Sequence, residues 1–209
     1  MIVNLYNNLK EICDKRKSHR FFKDIRVPDD IIDKILYIAG TSPYVSGKHN
    51  WEITVIKDRE ILRDIALAVK NMNSMLLNYI EDDYADGFKQ YSSNFVFFEN
   101  APAVFFLNYR EQQSVSIMLK KSLTTDELAS GLSGSDLKTS LKADIQEWER
   151  DSYVKSISCV AMLILLAAES LGLGACYMTG PLLAEKEISQ IINVKKGRRI
   201  GAIIPVGYY

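Results

Sequence analysis

Two guanidinium groups and a hydroxyl stand at alternating positions in Arg16-Lys17-Ser18-His19-Arg20, directly after an apolar-periodic segment ends. In an extended chain alternate side chains share a face, so Arg16, Ser18 and Arg20 fall on one side, a few ångströms apart. Two planar forks flanking a hydroxyl suit a phosphate monoester, because each guanidinium can donate two parallel hydrogen bonds to an oxyanion. Taken alone, the five residues fit a solvated basic turn better. The rest of the chain changes that balance.

Other reactive constellations are missing. Ser, His and Asp occur without a strained elbow motif, no nucleophile–base pair is visible, and no close carboxylate pair precedes a cleft. The two histidines, His19 and His49, lie far apart, and Cys13, Cys159 and Cys176 have no metal-ligand spacing and form no CxxC pair, so no metal site is expected. An odd, scattered cysteine count points to reduced thiols and a cytoplasmic location. Lys+Arg and Asp+Glu balance at 26 each, so no global field draws the chain to nucleic acid or anionic lipid, and any anion site must be local. Met1-Ile2-Val3-Asn4 opens no signal-peptide pattern, and the longest apolar run, Val160 to Ala168, is shorter than a bilayer span. A soluble protein with no membrane partner is expected.

The elements that position the basic stretch follow from periodicity. At 209 residues the chain suits a single domain. Leu5, Leu9, Ile12 and Cys13 recur at helical spacing, and that helix should end near Lys17. A second helix opens with Pro28 in its first turn, carries Ile31, Ile32, Ile35, Leu36 and Ala39 on one face, and stops at Gly40. Trp51 to Ile56 alternates and reads as a strand, Ile61 to about Ile80 as a helix, and Ala103 to Leu107 as a strand buried on both faces. Residues 110–150 are polar and mixed, with a loop marked at Ser130 to Ser135, and read as a variable insertion over the core. Val154 to Leu171 is a central helix terminated by Gly172 and Gly174. A short strand (Ala175 to Met178), a helix (Ala184 to Ile192) and a last strand (Ile200 to Val206) complete the chain. The order lacks a regular βαβ rhythm, which predicts α+β layers around a mixed or antiparallel sheet.

Three further segments bear on a ligand. Gly172-Leu173-Gly174 lacks a third glycine and follows a helix, so it is a helix stop rather than a dinucleotide fingerprint. Tyr177-Met178-Thr179-Gly180-Pro181 leaves a short strand for a glycine and a proline, so backbone N–H groups there lack ladder partners and can donate to a flat heteroaromatic ring. The loop from Ser42 to Trp51 reads either as a surface connection or as a second pocket wall. Asn94, a turn residue by default, can otherwise offer an amide to a ring edge.

Together these segments resemble the FMN-dependent nitroreductase family. Arg16-Lys17-Ser18-His19-Arg20-Phe21-Phe22 is similar to the family's R-R-S-x-R-x-F. Ser42-Pro43 to Trp51-Glu52-Ile53 is similar to its A-P-S-x-x-N-x-Q-P-W-x-F loop and strand. Ile164 to Cys176, continuing through Tyr177-Met178-Thr179-Gly180-Pro181, is similar to its long helix and following strand, and Ile204 to Tyr208 to its last core strand. The resemblance leaves out residues 110–150.

It implies an intertwined homodimer with FMN at the subunit interface. Arg16 and Ser18, helped by Lys17, would hold the phosphate and ribityl chain, and Arg20 would sit near the pyrimidine edge, where a cation favours the anionic reduced flavin. Pro43, Tyr44, Val45 and Ser46 would approach from the other subunit. Met178, Thr179 and Gly180 would face the ring, with the Thr179 N–H at flavin N5, and Asn94 would place an amide on it. Flavin N5 would carry the chemistry with no catalytic side chain, taking hydride from NADH or NADPH and reducing a nitroaromatic, quinone or similar flat electrophile in a ping-pong cycle. Tyr44, Gly47, His49 and Asn50 depart from the family's loop, which leaves a flavin carrier or sensor as the alternative; a flavin-fragmenting or dehalogenating relative would differ in lid residues within 110–150.

Overall fold

An eight-residue strand that is apolar from Ala103 to Leu107 has no face fit for water, so both its faces must be covered. The computed structural model describes residues 2–43, 50–110, 115 and 134–209. Its sheet contains β1 (Trp51–Ile56), β2 (Ala103–Arg110), β3 (Gly174–Ala175) and β4 (Arg198–Gly207), ordered β1-β2-β4-β3 with every pair antiparallel. The single parallel link among the described residues is a bridge between Ser18 and Ala175, outside the named strands.

Strand alternation divides the core in two. Ala103, Phe105, Leu107 and Tyr109 join Ala202, Ile204 and Val206 beneath α2 (Asp29–Gly40) and the apolar part of α5 (Gly134–Ser170). Val104 and Phe106 join Ile200 and Ile203 beneath α3 (Arg59–Leu77) and α6 (Glu185–Ile191). A bulge adjusts the boundary between them. Leu107 pairs with Ala202 but Asn108 pairs with Ile200, so Gly201 is skipped, and Ile200 turns to the face opposite Ala202. A Cβ on Gly201 would meet Ile157 of α5 at 3.0 Å, so glycine lets the helix seat on the bulge.

The α+β layering agrees with the sequence expectation, and the boundaries differ in instructive ways. The first helix, α1 (Ile2–Lys15), ends two residues before Lys17, and its Leu5, Tyr6 and Leu9 face outward. Pro28 is the N-cap of α2 rather than part of its first turn. Helix α3 starts at Arg59, because Asp58 Oδ1 accepts from the Glu60 and Ile61 N–H groups and satisfies donors a helix start leaves orphaned. Helix α4 (Asp82–Ser92) and the 3-10 turns at Ser93–Phe95 and Phe97–Asn100 were not anticipated; in α4 Ser92 alone is buried, so no apolar stripe marks it.

The largest difference is in α5, which begins at Gly134 rather than Val154 and absorbs the end of the expected 130–135 loop. Leu137, Leu141, Ile145 and Trp148 recur at helical spacing ahead of Val154, and over 141–150 the helix is mostly exposed, so Val154 marks where its core face begins rather than where the helix does. Leu141–Ser170 is long and apolar enough to cross a membrane by length and composition, but half of its most apolar window is buried inside the fold. Its C-terminal half is the core helix under β2 and β4.

Candidate functional site

The basic stretch lies on a strap that leaves α1 and runs without regular structure to α2. The helix closes with Arg16 N–H donating to Ile12 O at 3.0 Å, after which the chain extends. Ser18 then bridges Ala175 in parallel, and the His19 N–H donates to Ala175 O at 3.0 Å, so the strap adds itself to the β3 edge of the sheet. Further on, Lys23 N–H donates to Tyr208 O at 2.8 Å, and Asp24 accepts from Arg59 Nη2 at 2.6 Å. Phe22 packs near Gly207, where a Cβ would come within 3.1 Å of its ring.

This attachment brings the alternate side chains together. Burial pushes the Cys176 thiol above its ordinary value, and three strap groups pull it the other way: the Arg20 charge, a hydrogen bond from Ser18, and the Arg16 charge. Arg16, Ser18 and Arg20 therefore lie on the Cys176 side of the strap, as alternation requires, and Ser18 and Arg20, like Lys17, remain exposed to a ligand. His19 turns the opposite way, onto Gly174 and Tyr209. Among the described residues no carboxylate pairs with Arg16, Lys17 or Arg20, although nearby Lys10, Lys15 and Arg26 each have one. Two uncompensated guanidinium groups beside a hydroxyl, in a chain of zero formal charge, fit an anion of the phosphate class.

The second segment lies two residues beyond Cys176. Met178 exchanges both backbone hydrogen bonds with Ile203, at 2.9 and 3.0 Å, and its buried side chain joins the α3/α6 core. Met178 thus has its backbone N–H committed to the sheet and its side chain to the core, and its part is to position the turn that follows. Thr179 caps the 3-10 turn Gly180–Ala184 with its carbonyl accepting from Leu182 at 2.9 Å. Its own N–H has no acceptor among the described residues, Thr179 is exposed, and Pro181 contributes no N–H. A free donor at the end of a strand, held beside a proline, suits the edge of a flat heteroaromatic ring.

Asn94 reaches the same region indirectly. It is exposed, and its amide donates to Gln90 O at 3.3 Å and Tyr91 O at 3.5 Å, closing the end of α4. The adjacent Phe95 packs on Gly180, which places Asn94 one residue from the Thr179–Gly180 turn. Pro43 is exposed beyond the end of α2, and no described contact joins it to the strap; Tyr44, Val45 and Ser46, with Gly47 and His49, lie outside the described residues. At this loop's other end Asn50 is buried, and neither amide atom finds a partner among the described residues. No cluster of His, Cys, Asp or Glu among the described residues could hold a metal ion.

Sequence reasoning missed three participants. Cys176 was weighed only as a thiol without a partner, although its place one residue beyond the bridge to Ser18 puts it under the strap. Phe95 gave no signal, because its packing on Gly180 joins segments 85 residues apart. The His19–Tyr209 stack is equally nonlocal, with ring centroids 3.8 Å apart and planes at 29°.

Comparison with known proteins supplies the family. Iodotyrosine deiodinase of Hydra vulgaris is 26% identical over 214 residues, covering 99% of this chain and 67% of its own length; the mammalian iodotyrosine deiodinases that also match are covered less completely. The crystal structure of a BluB-like flavoprotein from Clostridium difficile 630 superposes with a TM-score of 0.74 at 24% identity, covering 95% of this chain and 89% of that one. A nitroreductase with bound FMN from Bacteroides fragilis NCTC 9343 superposes with a TM-score of 0.65 at 15% identity, over 96% and 87% of the two chains, so it shares the fold. The model of the nitroreductase family matches residues 13–208, from the end of α1 through the last strand, and this chain belongs to the nitroreductase family.

Proposed function

We propose that this chain is an FMN-dependent oxidoreductase that takes reducing equivalents from NADH or NADPH. The observation that carries the reading is the seating of the basic strap on the β3 edge through Ser18 and His19, with no carboxylate among the described residues pairing Arg16 or Arg20. The strap would hold the FMN phosphate through Arg16, Ser18 and Arg20, with Lys17 adding charge from the solvent side. The free N–H of Thr179 would donate to the ring edge, with Gly180 beside it and the backbone of Met178 behind. FMN, when bound, supplies hydride acceptance and onward electron transfer, which explains the lack of a nucleophile or general base among the described residues. The chain's part is to bind and orient the flavin and to hold positive charge beside its phosphate.

The site is half-built in one copy. Leu5 and Leu9 of α1, Phe21 of the strap and Met162 of α5 are exposed apolar side chains on or beside the elements that carry it. Their burial against a second copy would bring the partner's loop after Pro43 to the flavin, so a homodimer belongs to this reading. Small flat electrophiles are its substrate class: nitroaromatics and quinones on one side, a halogenated phenol on the other. The match to an iodotyrosine deiodinase, along 99% of this chain and 67% of that relative, favours the second as an alternative. Cytoplasmic location is part of the same proposal and accords with three free thiols.

The test is a visible spectrum. The purified protein should carry or take up FMN, run as a dimer on size exclusion, bleach with NADH or NADPH, and regain its colour on adding a nitroaromatic or quinone. Recovery with iodotyrosine and release of iodide would transfer the reading to dehalogenation. Flavin that binds but is never reduced would mark a carrier or sensor, and failure to bind FMN would overturn the reading.

A further inference from the structure

An extended strap that carries a phosphate clamp needs something to fix it, because a chain without regular structure keeps much of its conformational freedom. The strap touches the sheet at Ala175, where Ser18 forms its bridge and His19 N–H donates to the carbonyl. On the face opposite Ser18, the His19 ring stacks on Tyr209 at 3.8 Å. Both rings rest on Gly174: a Cβ there would lie 2.7 Å from His19 Cγ, 2.8 Å from His19 Cβ and 2.8 Å from Tyr209 Cδ1. Tyr209 is in turn tethered to the strap, because the preceding Tyr208 carbonyl accepts from Lys23 at 2.8 Å.

We propose that the His19–Tyr209 stack, seated on Gly174, is a latch that positions the Arg16–Ser18–Arg20 clamp, so that Tyr209 sets the affinity for the phosphate of FMN without touching it. The inference rests on the flavin reading above. Alternation is the mechanical link: with His19 locked onto the β3 edge, Ser18 is held facing the other way, toward Cys176, and Arg16 and Arg20 share its face. Freeing His19 releases the rotation of the strap about its own axis and scatters the three donors. The turn at Thr179–Gly180 is held by Met178, Ile203 and Phe95, and no described hydrogen bond or ring contact joins these to the stack, so its grip on a flavin ring should not depend on Tyr209. The latch therefore acts on the phosphate end alone.

The experiment titrates the flavin-free protein with FMN and with riboflavin, which lacks the phosphate, following flavin fluorescence, with thermal melting as the control for folding. Loss of one aromatic stack corresponds to roughly a two- to tenfold change in an equilibrium constant. Tyr209→Ala should weaken FMN by about that factor and leave riboflavin unchanged, while Tyr209→Phe, which keeps the ring, should bind both like the wild type. Gly174→Ala, which unseats the stack, should reproduce Tyr209→Ala. Should Tyr209→Ala not fold, Tyr209→Leu keeps apolar bulk without the aromatic face and answers the same question. Undiminished FMN affinity, or equal loss of FMN and riboflavin, overturns the latch. If Arg16→Ala releases FMN while Tyr209→Ala and Tyr209→Leu retain it, the latch alone fails; if the wild type binds neither flavin, the flavin reading fails with it.

Discussion

Phe95 fills the space that a side chain on Gly180 would need: a Cβ there would lie 2.3 Å from Phe95 Cε1 and 2.4 Å from Cδ1. Phe95 itself stands edge-on to Tyr91, centroids 4.9 Å apart at 82°. Through this contact the end of α4 and the turn after Met178 form one wall, although neither segment shows its partner in sequence.

A methyl group at 180 cannot be absorbed by the end of a flexible side chain, because a planar ring at 5% exposure stands in the way. Gly180→Ala should destabilise the fold by about 1–3 kcal/mol, the usual cost of overpacking. Chemical denaturation measures it, and Phe95→Leu in the same background should restore part of the loss. An unchanged midpoint for Gly180→Ala would mean that the turn moves aside freely.

Arg16→Ala and Arg20→Ala test the clamp directly. A hydrogen bond to a charged group contributes about 1.5–3 kcal/mol, so each should lower FMN affinity by roughly tenfold to a hundredfold. Arg16→Ala should spare riboflavin, and Lys17→Ala, on the solvent side, should cost less than either. The wild-type affinity should fall with added salt, and the arginine variants should show a shallower dependence. Equal sensitivity to Lys17 and Arg16 would contradict the alternation on which the clamp depends.

The α+β class and the strands β1, β2 and β4 were readable because their signals are local: a double-sided apolar run in β2 and β-branched alternation in β1. The facing of Arg16, Ser18 and Arg20 was readable for the same reason, since alternation is a property of the extended backbone itself. What supports the clamp was not. Cys176, Phe95 and Tyr209 act through contacts between residues far apart in sequence, and no periodicity connects His19 to Tyr209 across 190 positions. The early start of α5 was hidden differently: Leu137, Leu141, Ile145 and Trp148 do recur at helical spacing, but they stand in a polar stretch that follows a Ser- and Gly-rich segment and so reads as loop.

Cys176 makes a prediction about alkaline pH. Burial raises its thiol above the ordinary 9.0, against the pull of Arg20, Ser18 and Arg16. The unfolded chain therefore releases this proton first as pH rises, and in that range the unfolded state binds fewer protons than the folded one. Stability from this group is complete below the ordinary thiol range and is lost as pH climbs through the raised value. Urea unfolding at about pH 8 and about pH 10 should show a smaller alkaline decline for Cys176→Ala than for the wild type. Parallel declines would remove Cys176 as a source of it.

Asn108 sets a sharper test, because it is a polar residue at 1% exposure in the middle of the sheet. Its Nδ2 donates to Thr54 Oγ1 on the neighbouring strand at 2.9 Å and more weakly to Phe106 O at 3.5 Å, while its Oδ1 is buried without a partner among the described residues. The site lies at the bulge where Gly201 drops out of register, so the amide sits where the ladder is already interrupted. Thr54→Val keeps the shape but removes the acceptor, leaving a buried donor poorly satisfied, and should cost about 1–3 kcal/mol. Asn108→Leu should cost less, since it removes the orphaned oxygen along with the donor. Combining the two replaces both partners by apolar groups of similar shape, which should recover much of the Thr54→Val loss. A double-mutant cycle by urea denaturation reads this as strong coupling between positions 54 and 108. Strict additivity would show that the Thr54–Asn108 hydrogen bond contributes nothing beyond its two side chains taken separately.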